Sequence, residues 1–457
     1  MPEVQLLANG SYHVLIAAAG GSLSRWNDVA VTRWREEVDD KLRIFAAMRA
    51  IWQERLTTIF ARQGHYALDP AVVAAQPAPD QSTCHRGAGD PGDTMNTNTK
   101  KLHDLGQSLW VDNISREMLM RGTLALYIAD WSVTGLTSNP TIFEHAIGRG
   151  HLYDEAIARL ARRGEGAEQL FFALALEDLT TAADLFRPIH DATEGLDGWV
   201  SLEVSPLLAD NAAKTIHAAA WLHDAADRPN LFIKIPGTAA GTEAIEESIF
   251  GGVPVNVTLL FSREQYLVAA EAYLRGIERR IEAGLDPNVR SVASIFVSRW
   301  DVAVNPEVSP RLHNRLGIAI AMRIYKAYRD LLASPRWLKL AEAGARPQRL
   351  LWASTGTKDP AAPDTLYVEA LAATDTIDTI PEKTLSAFAD HGKVGAALAA
   401  DGGNAEAVLE EFRREGVYDE ALAARLQREG ADAFAASWHA LLACIHEKSA
   451  SLAGTGA

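Results

Sequence analysis

Short apolar runs and longer amphipathic stretches alternate along most of this chain. The runs that predict strands are Leu109–Asp112, Val133–Thr137, Val200–Val204, Leu231–Ile235, Pro254–Leu259, Ser291–Val297, Leu350–Ala353 and Thr376–Ile380. Helical spacing falls between them, at Leu152–Arg162, Gln169–Arg187, Arg263–Ala283, Ala319–Leu332 and Asp364–Leu371. Strand and helix in strict alternation predict a parallel sheet. The length fits an α/β fold, a (β/α)8 TIM barrel with additional helices. The tail from Leu385 to Ala453 reads as further amphipathic helices packed on the outside.

The first part of the chain has a different pattern. Residues 1–75 read as an N-terminal extension, a β-like fragment and then a helix. A turn at Asn9-Gly10-Ser11 precedes the β-like run Val14-Leu15-Ile16, and two Arg-Trp pairs follow, Arg25-Trp26 and Arg33-Trp34. Leu42, Phe45, Trp52, Leu56, Ile59 and Phe60 keep three-to-four spacing, which predicts a helix over 36–62. Residues 76–94 are rich in Pro, Gly, Ser and Asp and predict a disordered linker. Met95 follows directly, and a self-contained barrel domain is expected over residues 95–457.

Composition narrows the function classes. Hydrophobic residues make up 48% and charged residues 23%, as in soluble globular proteins. A net charge of -15 argues against nucleic-acid binding, which needs a basic stripe. It does not argue against a phosphorylated small molecule held in a locally basic pocket. Cys84 and Cys444 stand too far apart for a disulfide framework or zinc spacing, so a reducing cytoplasm and no metal site are expected. No run is apolar over 18 residues, so no membrane partner is expected. The apolar run Val14–Ala19 is no signal core, because the first cation, Arg25, comes after it.

Candidate chemistry centres on Leu231-Phe232-Ile233-Lys234-Ile235-Pro236. Alternation puts Lys234 on the face of Phe232, inside a buried strand. A lysine is seldom buried without a reason. Burial favours the neutral amine, a nucleophile that attacks carbonyls to give a Schiff base. The bland alternative is a lysine snorkelling from a strand end. In a (β/α)8 barrel the chemistry sits at the C-terminal strand ends. Asp112, Asn139, Glu203, Asn256, Thr258, Ser294, Phe296, Arg299, Ser354 and Lys358 fall at or just beyond such ends. Singly, Asp112 or Asn139 would serve as helix caps and Ser354 as a turn residue. Their joint placement around Lys234 favours a site.

Two long motifs add a family. Val133-Thr134-Gly135-Leu136-Thr137-Ser138-Asn139-Pro140-Thr141-Ile142-Phe143 resembles the first transaldolase signature. Ile233-Lys234-Ile235-Pro236, through Gly241 to Asn256-Val257-Thr258-Leu259-Leu260-Phe261-Ser262, resembles the second. The resemblance is to the longer bacterial subfamily. It runs from about Thr99 to the C-terminus and includes Lys101–Trp110 and Pro381–Leu385. It implies transfer of a dihydroxyacetone unit between sugar phosphates, with Lys234 as the Schiff-base lysine. Asp112 would take the C4 hydroxyl proton, and Glu203 would work through a water. Asn139, Asn256, Thr258 and Ser294 would hold the three-carbon unit. No cofactor is implied, because the iminium is itself the electron sink.

At the phosphate end the resemblance implies Arg299 and Ser354. Shorter members carry an arginine two residues after that serine. Here Gly356 stands there, and Lys358 is the nearest cation. Monomer and homodimer both remain open. The nearest rival is a fructose-6-phosphate aldolase-like enzyme, whose relatives are shorter and look to carry a tyrosine where Glu203 stands. A non-catalytic barrel scaffold would not be expected to keep Lys234, Asp112 and Glu203 together. Residues 1 to about 35 resemble a fragment of cyclic β-1,2-glucan synthases and related glycoside phosphorylases.

Overall fold

A computed structural model describes residues 4–9, 12–17, 22–24 and 95–454. The chain divides into two compact units, Met1–Gly89 and Asp90–Ala457. In the first, strands Val4–Asn9, Tyr12–Ala17 and Ser22–Ser24 pair antiparallel in chain order. Asn9 pairs with Tyr12, as the Gly10-Ser11 turn signal between apolar runs requires. The predicted helix over 36–62 and the predicted linker 76–94 lie outside the described residues.

The second unit is the expected barrel. Its strands are β1 (Gln107–Asp112), β2 (Val133–Thr137), β3 (Trp199–Glu203), β4 (Leu231–Pro236), β5 (Val255–Leu260), β6 (Ser291–Phe296), β7 (Gln348–Ala353) and β8 (Thr376–Ile380). All pair parallel in chain order, and β8 closes on β1. β1 and β7 each begin two residues earlier than the apolar runs suggest. The extra residues are polar but buried and bonded. Gln107 Nε2 donates to Leu371 O and Thr376 Oγ1, both at 2.8 Å. Arg349 Nη2 donates to Ser108 Oγ at 2.7 Å. Paired polar groups at the barrel floor are therefore invisible to a hydropathy pattern.

Helices cover the outside. Ala167–Ala192 runs past Pro188, where the pattern ends it at Arg187. Beyond the proline, Ile189 packs against the core and His190 lies edge-on to Trp199, which holds the last turn in place. Glu382–His391 and Ala405–Arg414 pack outside as expected. The terminal helix Asp419–Gly454 does more than that, because it also reaches the barrel mouth. Among the described residues, no helix is long and apolar enough to cross a membrane.

The barrel interior is layered. Trp199 and Phe232 stack with ring centroids 4.0 Å apart, and Trp110 lies 6.2 Å from Phe232. Trp110 Nε1 donates to Asp197 Oδ1 at 2.8 Å. Gly135 makes room for this indole, since a Cβ there would stand 2.6 Å from it. Toward the C-terminal ends of the same strands the inward residues become polar: Asp112 and Lys234 one alternation step beyond Trp110 and Phe232, and Glu203 two steps beyond Trp199.

Candidate active site

Lys234 sits on β4 and is 5% exposed. Its Nζ donates to the backbone O of Ser138 at 3.3 Å and lies 3.6 Å from Glu203 Oε2. That oxygen has no hydrogen-bond partner among the described residues. Strand register explains the pairing: Glu203 and Lys234 are direct neighbours on β3 and β4. Asp112, at the end of β1, accepts from Thr137 Oγ1 at 2.7 Å, and that hydroxyl lies 2.6 Å from Thr379 Oγ1.

Burial sets the electrostatics. Loss of water pushes the Asp112 carboxyl above the ordinary range, against the pull of the Lys234 cation. The Glu203 carboxyl is raised for the same reason, and the charge of Asp112 adds to the rise. Both carboxyls therefore hold a proton more readily than exposed ones do. Such groups suit proton transfer.

A cavity opens over Lys234. Asp112, Asn139, Ser294 and Phe296 line it. Arg299, Ser354 and Lys358 also line it and offer two cations. Burial lowers the Arg299 guanidinium, with no carboxylate offsetting the effect. Ser354 has φ +58°, a left-handed conformation that is strained for a residue with a side chain. Its backbone O accepts from Ser298 N at 3.0 Å, and its Oγ lies 2.9 Å from Ser298 Oγ. A Cβ on Gly356 would stand 3.2 Å from Pro381 Cγ and 3.7 Å from Lys358 Nζ. The missing side chain at 356 thus leaves the space that Lys358 enters.

Three expected residues lie off the cavity wall. Glu203 is buried beside Lys234. Asn256 is one step behind Ser294: its Oδ1 accepts from Ser294 Oγ at 2.7 Å, and its Nδ2 donates to Ser201 Oγ at 3.1 Å. Thr258 is buried with Oγ1 unpartnered among the described residues. Asn139 does double duty. It lines the cavity and also caps helix Pro140–Gly148, its Oδ1 accepting from Ile142 N at 3.1 Å.

Sequence reasoning missed Thr137 as the partner of Asp112 and Thr379 as the partner of Thr137, both of them wall residues. The inward alternation of β2 and β8 would have found both. It also missed Phe434, which lines the cavity from the terminal helix. No strand-end rule reaches a residue on a late helix.

Fold and cavity define a class: a (β/α)8 barrel with a covered lysine at its C-terminal mouth, between two carboxyls. The comparisons supply the family. The model described as Transaldolase/Fructose-6-phosphate aldolase matches residues 109–445, and the chain belongs to that family. A transaldolase of Thermobifida fusca is 44% identical over 357 residues, covering 76% of this chain and 97% of that protein. A transaldolase of Parafrankia sp. is 44% identical over 367 residues, covering 78% and 100%. One of Thiobacillus denitrificans is 44% identical over 355 residues, covering 76% and 99%. Residues 1–42 match the supersandwich domain of glycosyl hydrolase family 94. Both resemblances read from the sequence are borne out.

Proposed function

We propose that Lys234 is the Schiff-base nucleophile of a transaldolase reaction. Family membership carries the reaction, a transfer within the non-oxidative pentose phosphate pathway. A dihydroxyacetone unit moves reversibly from sedoheptulose 7-phosphate to glyceraldehyde 3-phosphate, giving erythrose 4-phosphate and fructose 6-phosphate. The observation that supports the residue roles is the covered Lys234 amine 3.6 Å from a covered Glu203 carboxyl, at the base of an open cavity.

The amine attacks the ketose carbonyl, and Glu203 relays protons through a water as the carbinolamine loses its hydroxyl. Asp112 then takes the C4 hydroxyl proton, and the C3–C4 bond breaks into the iminium. Asn139 and Ser294 hold hydroxyls of the retained unit, and Asn256 fixes Ser294 from behind. Thr258 offers the same group a buried hydroxyl that has no partner among the described residues. Phe296 shapes the wall, while Arg299, Ser354 and Lys358 take the phosphate. Glu203, where the aldolase relatives look to carry tyrosine, favours transfer over simple release.

Borohydride trapping with fructose 6-phosphate, followed by peptide mass spectrometry, tests this reading. A reduced three-carbon adduct on Lys234 is expected. No adduct, or an adduct on another lysine of folded protein, refutes the site.

Residues 95–457 make up the catalytic unit in this reading, and residues 1–94 are dispensable. A chain beginning at Met95 should keep its solubility and activity, and loss of either sinks that assignment. Two distant cysteines and the family's sugar-phosphate chemistry support a cytoplasmic setting.

A further inference from the structure

The terminal helix is seated on the barrel mouth by a stripe at helical spacing: Gln427, Gly430, Phe434 and Trp438. Gln427 Nε2 donates to the backbone O of Gly237, just after β4, and to that of Leu259, on β5, both at 3.0 Å. Leu259 has φ +60°, where β5 slips its register against β6. That bulge leaves its carbonyl for Gln427 rather than for the ladder. Gly430 permits close approach: a Cβ there would stand 3.0 Å from Leu259 Cδ2 and 3.2 Å from Arg299 Nη1. Further along, Trp438 packs edge-on to Phe171 at 4.9 Å. The helix is thus fixed at both ends of the stripe, with Phe434 between them.

Phe434 is 6% exposed and lines the cavity. Its ring centroid is 5.7 Å from Lys234 Nζ and 5.7 Å from Arg299 Cζ. An apolar face therefore lies over the nucleophile, between it and the phosphate-facing cation.

We infer that Phe434 is a specificity-determining residue: its ring keeps water sparse at the Lys234 imine and so favours transfer over release. The inference rests on the transfer reading above. After cleavage the three-carbon unit remains on Lys234 as an enamine with two fates. In transfer, the enamine carbon attacks the acceptor's carbonyl carbon, a C–C bond forms and the former carbonyl oxygen takes a proton. Only then does water hydrolyse the new ketose iminium, breaking the C–N bond and freeing the product and the lysine amine. In release, the enamine carbon is protonated, water adds to the iminium carbon, and the C–N bond breaks. That path yields free dihydroxyacetone and the lysine amine. Water is the co-reactant that separates the paths at this stage, and the ring covers its approach. A cation beside an aromatic face also gains stabilisation, which lengthens the life of the iminium.

The test uses the full chain with fructose 6-phosphate, with and without erythrose 4-phosphate. Free dihydroxyacetone is read by its enzymatic reduction and transfer by sedoheptulose 7-phosphate formed. The ratio of the two does not depend on the folded fraction. Phe434→Ala should raise the release-to-transfer ratio about tenfold, and Phe434→Leu, which keeps apolar bulk, should return it to within about threefold of the original. Gln427→Ala, which loosens the seat without touching the cavity, should raise it by roughly threefold. A ratio unmoved in folded Phe434→Ala overturns the inference. If that variant does not fold, an unmoved ratio in Gln427→Ala overturns it. If the unaltered chain traps no adduct on Lys234, the transfer reading has failed. If it traps and transfers but the ratio never moves, only the role of Phe434 has failed.

Discussion

The same barrel strands build two unlike interiors. One layer is aromatic: Trp110, Trp199 and Phe232 pack ring on ring and fill the barrel. Toward the C-terminal strand ends, the layer holds Asp112, Glu203 and Lys234 beneath an open cavity. The first layer gains stability from burial. The second forfeits some of it, because burial raises both carboxyls and leaves Glu203 Oε2 without a hydrogen bond among the described residues. One or two alternation steps thus separate the part that holds the barrel closed from the part proposed to do the chemistry.

Substitutions should affect the two layers differently. Lys234→Met gives the largest expected effect. Transfer should fall by about a thousandfold or more, with no borohydride adduct, because no other step replaces the covalent one. The melting temperature should change by no more than about 5 °C, since the two buried carboxyls that lose the lysine's pull take up protons while an apolar chain of similar length fills its place. A variant that unfolds instead would mean the polar layer also holds the barrel together. Trp110→Ala should behave the other way round. Loss of a fully buried indole against Gly135 should cost about 3–5 kcal/mol in denaturant unfolding. Turnover per folded molecule should survive within about tenfold, because no substrate contact is removed. Equal losses of stability and turnover would erase the distinction between layers.

The sequence made the barrel readable because its strands are bounded apolar runs, and two of them, Val133–Thr137 and Thr376–Ile380, have the predicted ends. The errors fall where polarity is buried and paired, as at Gln107 and Arg349, since pattern reading takes a polar residue for a strand end. Most candidate site residues were legible from one rule, that barrel chemistry collects at C-terminal strand ends. That rule found Asp112, Lys234 and Ser294 but did not tell wall residues from those behind them, such as Asn256. That difference depends on side-chain packing, which alternation does not encode. Phe434 was illegible because it comes from a helix nearly two hundred residues after β4, and one aromatic in an amphipathic helix reads as core.

Asp112→Asn sharpens the comparison within the polar layer. An amide keeps the shape and the Thr137 bond but cannot take the C4 proton. Transfer should fall by about a hundredfold. Trapping with fructose 6-phosphate should then yield the intact six-carbon adduct on Lys234, because attack still occurs and cleavage does not. A three-carbon adduct at the original rate would remove Asp112 from the cleavage step.

The smallest effect on transfer comes from a buried carboxyl that alternation turns away from the cavity. Thr379 of β8 lines the site, while its neighbour Asp378 is fully buried on the other face and accepts from Thr355 Oγ1 at 2.8 Å. Burial pushes its pKa from 3.8 up to about 8. The folded protein therefore holds a proton there that the unfolded chain gives up near pH 4. The stability this group contributes is full below the unfolded pKa and lost as pH rises through the folded one. Asp378→Asn mimics the protonated acid and does not titrate. Its stability advantage over the original chain should grow by at most about 1.4 kcal/mol per pH unit between pH 5 and 8, then level off. Raised carboxyls at Asp112 and Glu203 are present in both proteins and cancel in the difference. Unfolding curves across that range decide the point. Parallel pH profiles would show that Asp378 is ionised in the folded barrel, and transfer activity unchanged from the original chain would confirm that a raised carboxyl pKa alone does not mark the site.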